Sequence, residues 1–145
     1  MTSIKTVIAL LVAAVAAGTF AVASSAGSND SSRSGELHVT KECSEYFGAA
    51  GEFCTITSSN IPQIKPGMRV VYLQPLGSSG LDSDIVLSKG HGSAASGHVV
   101  LNAVTSRVTF GGGTGAFRGF QADVKVSETA GVWHWDGTYS FDPPR

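Results

Sequence analysis

Beyond residue 35 the hydrophobic and polar positions of this chain alternate in twos. Phe120, Ala122, Val124 and Val126 interleave with Gln121, Asp123, Lys125 and Ser127, the pattern of a strand with one buried and one solvated face. Leu37, Val39 and Lys41 alternate in the same way with His38, Thr40 and Glu42. Val132 to Phe141 puts Trp133, Trp135, Tyr139 and Phe141 on one side and His134, Asp136, Thr138 and Ser140 on the other. Alternation fixes that the aromatic residues share a face, and leaves open whether that face points inward. Shorter strands are predicted at Phe53–Thr57, Met68–Leu73 and Ile85–Leu87, and Gly97–Val104 with Arg107–Phe110 reads as a hairpin. Ser44–Glu52 is one helical turn or a loop, and Pro62, Pro66 and Gly67 punctuate the stretch before the third strand.

No stretch after residue 30 repeats with a 3.6-residue period. Seven or eight short strands joined by glycine-rich turns make an all-β domain, a sandwich or a barrel. With 14% charged residues there are few charges to guard open sheet edges, and closure into an eight-stranded antiparallel barrel removes the edges altogether. An immunoglobulin-like sandwich is the second choice, because Cys43 and Cys54 are too close in sequence to staple two sheets at the usual spacing.

The N-terminal third of the picture is different. Lys5 precedes an uncharged run from Val7 to Val22, and Ala21-Val22-Ala23 offers a small-residue cleavage site. Residues 1–26 therefore read as a secretory signal peptide, residues 27–35 as a Ser/Gly/Asn-rich disordered leader, and residues 36–145 as the single domain. A secreted product with no membrane span after cleavage is expected. In an oxidising compartment Cys43 and Cys54 form one disulfide, worth roughly 3 kcal/mol by restricting the unfolded chain. Removal of the signal leaves nine basic against eleven acidic residues. With no basic stripe, nucleic acid is not expected as a partner.

Candidate chemistry is sparse. The segment Gly111–Gly119 is followed by a period-2 strand rather than a helix, so it lacks the context of a phosphate loop. Its glycines, Gly113, Gly115 and Gly119 among them, read as a tight turn at a barrel corner. His38, His91, His98 and His134 show no metal-ligand spacing, and neither metal nor cofactor is expected. Asp82 and Asp84 share a face if extended, as turn residues entering a strand or as carboxylates near a pocket mouth. No G-x-S-x-G elbow is present. Trp133, Trp135 and Tyr139, with Tyr72, are either plain core or the wall of an apolar pocket, since barrels of about eight strands can hold one small ligand.

Val108-Thr109-Phe110-Gly111-Gly112-Gly113-Thr114-Gly115-Ala116-Phe117-Arg118-Gly119-Phe120 resembles the G-G-T-G-x-[FY]-x-G turn of the allene oxide cyclase and dirigent superfamily. Lys65–Tyr72 is similar to an early barrel strand of that group, and Trp133–Phe141 to the last strand of its secreted bacterial members. The resemblance implies an eight-stranded barrel, often oligomeric, with a cavity for an apolar or phenolic molecule. It carries over no catalytic residue. Three functions follow as expectations: a secreted barrel binding a small apolar or phenolic molecule, with Tyr72, Trp133, Trp135 and Tyr139 lining the pocket and Asp82 or Asp84 near its mouth; a cyclase or isomerase using the same cavity; or a structural module working through its outer surface.

Overall fold

The two-residue alternation becomes the wall of a closed barrel. A computed structural model describes residues 33–142. In it, β1 (Ser34–Glu42), β2 (Phe53–Ser59), β3 (Arg69–Tyr72), β4 (Leu81–Ser88), β5 (Ala94–Leu101), β6 (Ser106–Thr114), β7 (Phe120–Thr129) and β8 (Val132–Phe141) follow one another around the cylinder. Each strand pairs antiparallel with the next, and β1 returns to β8 in unbroken register from Ser34 opposite Ser140 to Lys41 opposite Trp133. The signal peptide and most of the leader expected from sequence lie outside the described residues. β1 starts slightly before the expected domain boundary, because Ser34 and Gly35 pair through backbone groups with Ser140 and Tyr139. That pairing leaves no trace in side-chain hydropathy.

β7 and β8 run as the alternation predicts, with Phe120, Ala122, Val124 and Val126 buried. Trp135 and Tyr139 are buried too, so the aromatic face of β8 is the inner one. β4 is longer than the Ile85–Leu87 core suggested. Leu81, Ser83, Ile85 and Leu87 all face inward, and Ser83 masks the pattern because it is a hydroxyl at a fully buried position. It is tolerated because it accepts a hydrogen bond from the Gln74 amide (3.0 Å) and donates to the Asp84 carbonyl (2.7 Å). Ser44–Glu52 is a loop of turns. The disulfide between Cys43 and Cys54 ties the end of β1 to the start of β2.

The two ends of the barrel differ. One end receives the β2–β3, β4–β5 and β6–β7 connections and is filled by aromatic rings. Phe120 packs at 5.5 Å from both Phe110 and Phe117 and at 5.0 Å from Phe141, centroid to centroid. Phe117 comes from a short 3-10 turn, Gly115–Phe117, that folds over this end and is fully buried.

The glycine segment makes that plug possible, though not as a single tight turn. Gly113 belongs to β6, Gly115 opens the 3-10 turn with φ of 58°, and Gly119 leaves it with φ of 75°. Against β5, β6 carries one extra residue between Phe110 and Gly113, a bulge at which Gly112 adopts φ of 124°. A Cβ at Gly113 would come within 2.6 Å of the Phe117 Cβ, so the strand can approach the plug only without a side chain. Gly113→Ala is expected to destabilise the fold by about 2 kcal/mol, read from urea denaturation. An unchanged midpoint would show that the plug is not packed against β6 in this way.

Candidate functional site

At the opposite end the inner face of β1 carries a lysine. Lys41 continues the row of Leu37 and Val39, so its side chain enters the barrel, and only 3% of its surface is exposed. Its Nζ donates to the Tyr72 hydroxyl at 2.5 Å. It also sits 5.2 Å from the ring centres of Tyr72 and Trp135 and 5.8 Å from that of Trp133. These aromatic faces attract a cation, yet among the described residues no carboxylate pairs with it. Glu42 points outward and accepts from the Ser44 amide. Glu52 is occupied by the amides of Phe47 and Ala49. Burial in this apolar surround therefore dominates and lowers the lysine from 10.5 to about 7. Burial pushes Tyr72 the other way, with a smaller contribution from Tyr46, and its phenol stays protonated well above the usual range. The pair is a buried amine that loses its proton near neutrality beside a hydroxyl that keeps its own.

Above this pair lies a cavity of about 290 Å³, at the small end of the range for ligand sites, roughly 300–1,000 Å³. Its walls are Tyr46, Leu76, Leu81, Leu101, Trp133 and the Cys43–Cys54 disulfide. The loops hold this shape through backbone bonds. Leu76 N donates to the Gly48 carbonyl at 2.8 Å, and Gly51 N to the Tyr72 carbonyl at 2.7 Å. The Tyr46 ring packs against Tyr72 at 4.6 Å in a tilted contact, and its hydroxyl is buried without a hydrogen-bond partner among the described residues. The cavity opens where Leu76 is half exposed. The large apolar side chains that stand out from the described surface, Phe47, Leu73, Leu76, Val104 and Val132, all belong to the connections at this one end or adjoin them.

The structure divides the residues singled out by sequence. Tyr72 and Trp133 line the cavity, and Trp135 lies beneath it against Lys41. Tyr139 packs toward the plugged end, 6.0 Å from Phe141. Asp82 and Asp84 turn outward, because they alternate with the buried Leu81, Ser83 and Ile85. There they hold His98 between them, Asp82 on Nε2 at 2.6 Å and Asp84 on Nδ1 at 2.9 Å. Asp82 adjoins the rim through Leu81, but its carboxylate does not face the cavity. His38 is held similarly, by Asp136 at 2.8 Å and Glu36 at 3.3 Å. These hydrogen bonds raise both histidines, chiefly through Asp136 for His38 and Asp84 for His98. In each case the carboxylates meet opposite nitrogens of the ring and so diverge. Among the described residues no group of three His, Cys, Asp or Glu side chains is placed to hold a metal ion.

Lys41 is the residue that hydropathy alone passes over. Its signal was its phase, a lysine in step with Leu37 and Val39 and out of step with the polar face. A larger hollow, about 700 Å³, runs over the outer face near Arg107, Asp123 and Lys125. Arg107 and Asp123 are already paired there, and the surface is open and lined mostly by polar and charged residues. It lacks the enclosed apolar wall of the smaller cavity. Searches against protein-family models, curated proteins and solved structures return no match to this chain.

The lysine shapes stability as well as chemistry. Below pH 7 it is charged in both folded and unfolded chains. Between about 7 and 10.5 the unfolded chain holds a proton that the fold has released, so its contribution to stability rises with pH across that window. Lys41→Met, which fills the same space without charge, is expected to stabilise the protein most at or below pH 7. That advantage should shrink as pH rises toward 10.5, by an amount on the order of 5 kcal/mol at full titration. Paired urea denaturations at acidic and alkaline pH measure it, and a pH-independent difference would contradict the burial of an unpaired amine.

Proposed function

We propose that this is an exported barrel that binds one small apolar or phenolic molecule in the cavity above Lys41, with the ligand's single polar group meeting Lys41 and Tyr72. The observation that carries the reading is the combination of an apolar, partly enclosed cavity with a buried amine at its floor. Burying an amine without a counter-charge costs stability, so a site that keeps one is suited to a ligand that supplies the missing polar contact. The apolar side chains of Phe47, Leu73, Leu76 and Val132 crowd the same end and give such a molecule an apolar approach. The glycine segment supports assignment to the allene oxide cyclase-like type of barrel, and the N-terminal pattern supports export. A cyclase or isomerase remains the second reading, favoured by Tyr72, a protonated hydroxyl beside an apolar wall and a basic amine.

The test uses 2-naphthol as a phenolic probe, read by quenching of tryptophan fluorescence, since Trp133 forms part of the wall. Saturable binding with one site per chain is expected. Leu101→Trp, which fills the cavity from β5, should weaken it at least about tenfold, a loss of roughly 1.4 kcal/mol. Absence of saturable binding, or equal binding by the filled variant, would place any function on the outer surface instead.

A further inference from the structure

The floor of the cavity has a chemical property that simple apolar binding does not use. The amine of Lys41 stands at the end of an apolar wall; among the described residues its one hydrogen-bond partner is the Tyr72 hydroxyl at 2.5 Å, and none of their carboxylates holds it as an ammonium ion. We propose that Lys41 captures a carbonyl group, forming a reversible imine with an apolar aldehyde or ketone seated in the cavity. This rests on the ligand-binding reading above and names the head group of that ligand.

The step balances with the groups present. The Nζ lone pair attacks the carbonyl carbon and forms the C–N bond, while the C=O π electrons move to oxygen. Tyr72 donates its proton to that oxygen and recovers one from nitrogen, ending unchanged. The nitrogen lone pair then expels the hydroxyl, which takes a proton from Tyr72 and leaves as water; the Tyr72 phenolate recovers the remaining proton from nitrogen, and C=N remains. Nothing is oxidised or reduced. Burial releases the amine's proton near neutrality, so the nucleophilic form is populated where ordinary lysines are ammonium ions. Protonation of the product gives an iminium ion, and the faces of Tyr72, Trp133 and Trp135, 5.2 to 5.8 Å from Nζ, are placed to stabilise that charge. A carboxylic acid would be a poorer guest, because it would bury an ion pair with one extra hydroxyl to satisfy it.

Lys41 is approached by titratable groups from few directions. Tyr72 comes from β3 and Tyr46 from the β1–β2 loop, while β8 offers only the two tryptophans and β2 the disulfide-bonded Cys54. The reactivity should therefore follow Lys41 itself.

The experiment incubates the disulfide-bonded protein with 2-naphthaldehyde and sodium cyanoborohydride near neutral pH and maps the product by peptide mass. A reduced adduct, heavier by the aldehyde less one oxygen atom, is expected at Lys41. It should form at least about tenfold faster than at Lys125, which is exposed on β7. The unreactive isostere 2-naphthalenemethanol should compete with it, and Lys41→Met and Lys41→Arg should abolish it. Labelling spread over exposed lysines, with Lys41 no faster, overturns the proposal. If the alcohol binds by tryptophan quenching and the aldehyde is not trapped at Lys41, imine capture fails and the ligand-binding reading stands. If neither binds, both fail.

Discussion

The seam between β1 and β8 is the constraint on which the rest of this molecule depends. Eight consecutive residue pairs, from Ser34 with Ser140 to Lys41 with Trp133, turn an eight-stranded sheet into a cylinder. Closure pairs the backbone of both terminal strands and removes the edges that an open sheet of this size would expose. It also dictates the site. Because side chains alternate strictly along a strand, the register that buries Leu37 and Val39 must bury Lys41 as well. A one-residue slip would free the lysine and drive Leu37 and Val39 into solvent. The amine is therefore held inside by the hydrophobic residues that share its face.

Within the cylinder the two ends divide the work of stability and chemistry. The end that receives the glycine-rich β6–β7 connection is closed by Phe117, Phe120 and Phe141, whose rings meet in tilted and edge-to-face contacts. The other end leaves its interior incomplete, with a cavity where a further aromatic residue would complete the core. Tyr72 and the disulfide close its floor and side, and the half-exposed Leu76 stands at its opening. A stable plug at one end permits an unfilled, polar-floored space at the other. Both the depressed lysine and the buried Tyr46 hydroxyl are stability costs concentrated in that one space, and such concentration is the physical mark of a site.

Much of this was legible in the sequence. Strict alternation in β7 and β8 announced a half-buried antiparallel wall, and low charge with glycine-rich connections pointed to closure. The aromatic face of β8 was visible as a face, but its direction was not, because period-2 patterning carries no sign. β4 was under-read for a similar reason: Asp82, Ser83 and Asp84 look like a polar loop until Ser83 is seen satisfied by backbone groups inside the barrel. The carboxylates followed from that error, since a strand residue beside a buried one must point outward. Lys41 was placed on the apolar face by its phase, yet its meaning required the third dimension. Only folding shows that Tyr72 reaches it and that Glu42 and Glu52 do not.

The most direct test is the protonation state of that one amine. The Cε and Hε resonances of Lys41, assigned by comparison with the Lys41→Arg variant, can be followed from about pH 5 to about pH 11 in the folded protein. A midpoint near 7, well below the ordinary lysine range, is the expected result. A Lys41 midpoint close to 10.5 would mean that the amine is solvated or paired in solution, and would contradict the buried nucleophilic floor from which the binding and capture roles are argued.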